Sequence, residues 1–177
     1  MAFTLAELTS RYGVALHELN GAAMNGELPL PASLVNRIVA QQLAQKRPDA
    51  EARIEPHDGQ RLDITVAMRG QRLLPTIRIA ARIEQQPQFP GPAVLGLRWS
   101  MPAMGPLSLF AGPALSFFKV LPPGIQADGD RLWIDIRELL HRQGLGELAG
   151  LITALEVVTR EGAFLVRFSA RIPPSRS

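Results

Sequence analysis

The chain contains no cysteine, so it has neither a disulfide framework nor a thiolate metal site. His17, His57 and His141 lie apart, without the second histidine or carboxylate at HExxH-type spacing that a zinc site needs. Ser100 stands in WSMPA rather than in a G-x-S-x-G elbow, and no glycine-rich phosphate loop joins a strand to a helix. Asp128 and Asp130 flank Gly129, where turn chemistry accounts for them. No catalytic constellation is legible, and neither enzyme activity nor a cofactor or metal is expected. The first twenty residues also lack the basic-then-apolar order of a secretory signal. As written, the chain reads as cytoplasmic and at most peripheral to a membrane; as the trimmed mature form of a longer product, it would be periplasmic.

What is present describes a globular domain. The chain has 177 residues, 46% hydrophobic and 20% charged, enough to bury a core without covalent staples. Lysine and arginine exceed aspartate and glutamate by 19 to 16, and the excess is arginine-dominated. That bias favours an anionic surface such as lipid headgroups. No dense basic run of the kind found in nucleic-acid tails is present, so nucleic acid is not an expected partner.

The pattern along the chain changes period. Residues 4–20 read as two short helices around Gly13, and residues 21–32 (GAAMNGELPLPA) as a glycine- and proline-containing linker. A helix is expected over 33–46, with Leu34, Val35, Ile38, Val39 and Leu43 as its apolar stripe and Asn36, Arg37, Gln41, Gln45 and Lys46 opposite. Pro48 closes it. From residue 51 onward the period becomes 2, with strands around Asp58-Gly59, over 76–84 and over 95–99, then around Asp128-Gly129. A short helix broken at Gly144 and a hairpin turning at Glu161-Gly162 complete the chain. Along these strands apolar residues alternate with Arg61, Arg69, Arg78, Arg82 and Arg98, which predicts a sheet with one apolar and one arginine-bearing face.

Between Arg98 and Lys119 lie about twenty residues without a charge, WSMPAMGPLSLFAGPALSFF. They could span a bilayer by length, but Pro102, Pro106 and Pro113 oppose a continuous helix. A one-faced sheet of about seven strands has more apolar surface than one helix about 21 Å long can cover. Leu107, Leu109, Phe110, Phe117, Phe118 and Leu121 are therefore expected either to plug the concave side or to line a groove for an acyl chain, with Leu34, Ile38, Leu97 and Trp99 completing the wall. The alternative is an interaction module in which residues 99–118 pack on a partner or on a second copy in a homodimer.

Two resemblances add to this. Thr4, Leu5, Arg11, Tyr12, Gly13, Val14, Leu19 and Asn20 resemble the first half of a LysM glycan-binding module, and the same stretch has a helix-turn-helix layout; a plain helical pair is the third reading. The words Leu121, Pro122, Pro123, Gly124 and Ile125, followed by Gly129, Leu132, Ile134, Ile136, Leu139 and Leu140, resemble the small bacterial phospholipid-binding branch of the tubular lipid-binding (TULIP) superfamily. That resemblance implies an α+β fold, a curved antiparallel sheet wrapped around one long helix over residues 31–173, preceded by a short helical segment over 1–30. It further implies a lipid or fatty-acyl ligand held without a cofactor.

Overall fold

The computed structural model describes residues 21–46, 48–68, 76–101 and 123–173. The expected helical pair at 4–20 and most of the uncharged segment fall outside these residues.

The described chain is mostly antiparallel β, arranged as two sheets. Strand β1 (Ala23–Pro31) leads directly into helix α1 (Ala32–Lys46). Strands β2 (Ala50–His57), β3 (Arg61–Met68), β4 (Ile77–Gln85) and β5 (Val94–Ser100) form a meander, and the hairpin of β6 (Ile125–Asp128) and β7 (Arg131–Asp135) joins it through β7. Two short helices follow, α2 (Ile136–Arg142) and α3 (Gly146–Leu151), before the last hairpin, β8 (Ile152–Arg160) and β9 (Ala163–Arg171). The six-stranded sheet has the order β2-β3-β4-β5-β7-β6, and the three-stranded sheet β1-β9-β8.

This corrects the expected architecture of a sheet wrapped around one long helix. Residues 21–32, expected as a linker, contain β1, paired with β9 from Ala23↔Arg171 to Pro31↔Ala163. Proline is tolerated there for a geometric reason. The Ile172 amide donates to the Ala22 carbonyl, so even-numbered β1 residues bond β9 and odd-numbered ones face the free edge. Pro29 and Pro31 occupy edge-facing positions, where no ladder donor is missed. Gly26 in the same strand lies under the Phe168 ring, where a Cβ would sit 2.5 Å from a ring carbon.

With β1 to pair with, the terminal hairpin becomes a sheet of its own and covers the six-stranded sheet. Val157 of β8 is buried among Leu62, Ala81, Ile83, Leu95 and Leu97, and Leu155 and Phe164 pack against the same cluster. The apolar alternation of β3, β4 and β5 meets this hairpin rather than a helix. Further along the same face, Val66, Ile77 and Ile79 form a second buried cluster, with Trp99 and Ile64 touching both.

Helix α1 lies instead along the exposed edge of β2. Its Asn36 side chain donates from Nδ2 to the Ile54 carbonyl at 2.9 Å and accepts at Oδ1 from the Ile54 amide at 2.7 Å. Gln86 repeats the device on β8: Nε2 donates to the Val157 carbonyl at 2.9 Å, and the Val157 amide donates to Oε1 at 2.8 Å. Each amide side chain satisfies both backbone groups of one edge residue, which blocks strand addition there.

Candidate functional site

A cleft of about 950 Å³ lies between α1 and β2. It exists because the side chains at this junction are small. Asn36, Ala40 and Ala44 recur at helical spacing on the face of α1 that meets β2, with Leu43 beside them. Ala50, Ala52 and Ile54 of β2 form the opposing wall, and Ala67 and Thr65 of β3 extend it. Alanine lets helix and strand approach without filling the space between them. The fixed Asn36–Ile54 hydrogen bonds set the spacing at one end, and Pro48 turns the chain back at the other.

The hairpin tip closes the Asn36 end. The Gly162 amide donates to the Pro56 carbonyl at 3.0 Å, and the Ala32 amide donates to the Gly162 carbonyl at 2.9 Å. His57 reinforces this junction, with Nδ1 3.2 Å from a Glu161 carboxylate oxygen and Nε2 3.3 Å from one of Asp63. The hydrogen bond to Glu161, aided by the negative charges of Glu161 and Asp63, raises the His57 pKa above its ordinary 6.5 against a weaker desolvation effect. Both ring nitrogens are engaged, so His57 acts as a clamp between the hairpin tip and the six-stranded sheet. Arg53 and Glu55 pair at 2.8 Å on the rim.

No protein-family model, curated protein or solved structure matches the chain. Its function therefore has to be argued from its own geometry. Among the described residues, no helix is long and apolar enough to cross a membrane, and no three side chains are grouped to hold a metal.

The expected site residues are dispersed. Leu97 is buried beneath Val157, and Trp99 is half-buried between the two core clusters, so both are core residues. Leu34 is half-buried and Ile38 is 47% exposed, and neither lines the cleft. Leu107, Leu109, Phe110, Phe117, Phe118 and Leu121 lie outside the described residues. Of the expected apolar stripe, Leu43 alone reaches the cleft, while Asn36, assigned to the polar face, points into it. The reason is where the helix docks: at a strand edge, free backbone groups require a hydrogen-bonding side chain, whereas a sheet face would require leucine. The signals that could have found the cleft were the i,i+4 alanines at 40 and 44 and the small residues at 50 and 52.

Proposed function

We propose that the protein is a non-enzymatic binding protein that holds a fatty-acyl chain, free or as part of a lipid, in the cleft between α1 and β2. The observation that carries this reading is the cleft itself. Its volume of about 950 Å³ lies within the range of small-molecule sites, and such sites are mainly apolar with a few polar groups at the mouth. Ala40, Leu43, Ala44, Ala50, Ala52 and Ile54 supply the apolar part, and the lining runs along α1 from Ala32 to Ala44, about 18 Å at the helical rise. Arg53 at the rim is placed for a carboxylate or phosphate head.

Native mass spectrometry of gently purified protein and titration with a fluorescent fatty acid test the proposal. Ala44 is exposed on the cleft wall, so Ala44→Trp can fill the space without entering a packed core. The expected result is saturable uptake by the wild type and loss of uptake in Ala44→Trp. Absence of bound mass together with no uptake by the wild type removes the reading.

A second reading is supported by the three-stranded sheet. Met24 and Leu28, on the same face as Phe168 and Val166, are 60% and 51% exposed, a combination suited to a partner or second copy. Concentration-dependent sedimentation abolished by Leu28→Asp is the supporting outcome, and a monomer at all concentrations rejects it.

A further inference from the structure

The outward face of the six-stranded sheet carries a row that register alone reveals. Arg61 of β3 lies opposite Arg82 of β4, Arg82 opposite Arg98 of β5, and Arg98 opposite Arg131 of β7. Four arginines thus stand side by side on four neighbouring strands, all exposed, over about 14 Å at ordinary strand spacing. Like charges directly opposite one another destabilise a sheet. Three such pairs in succession weaken the fold locally, and a ligand of opposite charge offsets them.

The partners of these guanidinium groups show where the free charge sits. Arg98 is held by Glu84 at 3.2 Å and by Asp130 at 3.0 Å. Arg61 donates to the Asp58 backbone carbonyl at 3.2 Å, which neutralises nothing. Arg82 has no hydrogen-bonding or ionic partner among the described residues, and Arg131 lies 5.8 Å from the Trp133 ring centroid as its one contact of this kind. Trp133 lies on the same face, over Gly96, where a Cβ would be 2.6 Å from the ring. It is half-buried and adjoins the row.

We propose that this face binds single-stranded nucleic acid, with the phosphodiester backbone following the row Arg61–Arg82–Arg98–Arg131 and a base stacking at Trp133. Carboxylates bound the row on both sides, Asp63 and Asp130 along one flank and Glu84 along the other, and Asp128 stands opposite Arg131 at the β6 end. A linear polyanion fits a stripe one register wide. A plane of lipid headgroups would set its neighbouring phosphates against those carboxylates. Stacking on an aromatic ring beside a basic track is the chemistry by which single strands are held without sequence preference, and the Arg131–Trp133 pair supplies both parts.

The test is fluorescence anisotropy of the full chain with a labelled twelve-nucleotide oligothymidylate, beside a duplex of equal length and flotation with vesicles of phosphatidylglycerol and phosphatidylcholine. Saturable binding to the single strand is expected, weaker binding to the duplex, and a slope of log affinity against log salt of about −2 to −3 for three or four phosphates. Arg82→Ala and Arg131→Ala should each weaken binding several-fold and flatten the slope by about 0.7, with Arg82→Ala melting no lower than wild type. Arg171→Ala, on the other sheet, should change nothing. No binding at low salt overturns the proposal, as does binding indifferent to both substitutions, or capture by anionic vesicles without uptake of the oligonucleotide. Each outcome is independent of acyl-chain uptake in the α1–β2 cleft.

Discussion

His57 carries a carboxylate at each ring nitrogen, and those carboxylates belong to different sheets' elements: Asp63 on β3 and Glu161 at the β8–β9 tip. Its folded-state pKa is raised above 6.5, so the folded protein binds the proton more tightly than the unfolded chain does. The resulting stabilisation is fully present below the unfolded value and is lost as pH rises through the raised folded value. Melting temperatures of wild type and His57→Gln across pH 5 to 9 should therefore differ most at the acidic end of that window and converge at the alkaline end. Arg61 stands opposite His57 in the register. In the sequence His57 was one isolated histidine; Glu161 lies 104 residues away, and only folding brings them together.

At the scale of elements, the period-2 segments and their turns were legible. Strands were expected around Asp58-Gly59, Asp128-Gly129 and Glu161-Gly162, and all three turns join strand pairs in the structure. The strand that escaped was β1, because GELPLP reads as a breaker unless the outward parity of Pro29 and Pro31 is known, and parity depends on a partner more than 130 residues away. Helix α1 was located correctly, but its inward face was not, since an apolar stripe predicts docking on a sheet face and α1 docks on an edge. Asn36 is the residue that decides this. Asn36→Ala leaves the half-buried amide and carbonyl of Ile54 without their partner, which should cost about 1–3 kcal/mol in urea unfolding. The same variant should aggregate faster than Arg37→Ala, a neighbouring exposed position, because it reopens an edge.

For the whole molecule, the sequence implied that an apolar sheet face needed a cover but not that the chain's own terminal hairpin provides it. A cover made of β8 and β9 shares its core with β3, β4 and β5 through Val157, so the two sheets should unfold as one. Far-UV circular dichroism and tryptophan fluorescence should report the same urea midpoint. Val157→Ala should lower the unfolding free energy by about 1–3 kcal/mol, equally in both signals; separate midpoints would mean that the sheets are energetically independent. The candidate sites divide along the same line. The cleft was missed: none of the described residues expected to form a groove lines it, and the alanines at 40 and 44 that shape it fall outside the apolar stripe. The arginine row was visible only as alternation, because alternation gives the face of each strand and register gives the neighbour. Register has a further consequence at the outer strands. Among the described residues, each edge strand of the two sheets carries a feature that blunts it: proline on β1, an amide clasp with a helix on β2, an amide clasp on β8, and a length of only four residues at β6. Copies of this protein can meet through their faces, where a twofold pair saturates at two, whereas the described sheet margins are poor templates for propagation. The chain can thus leave Met24 and Leu28 in water while its described sheet edges disfavour growth into a fibre.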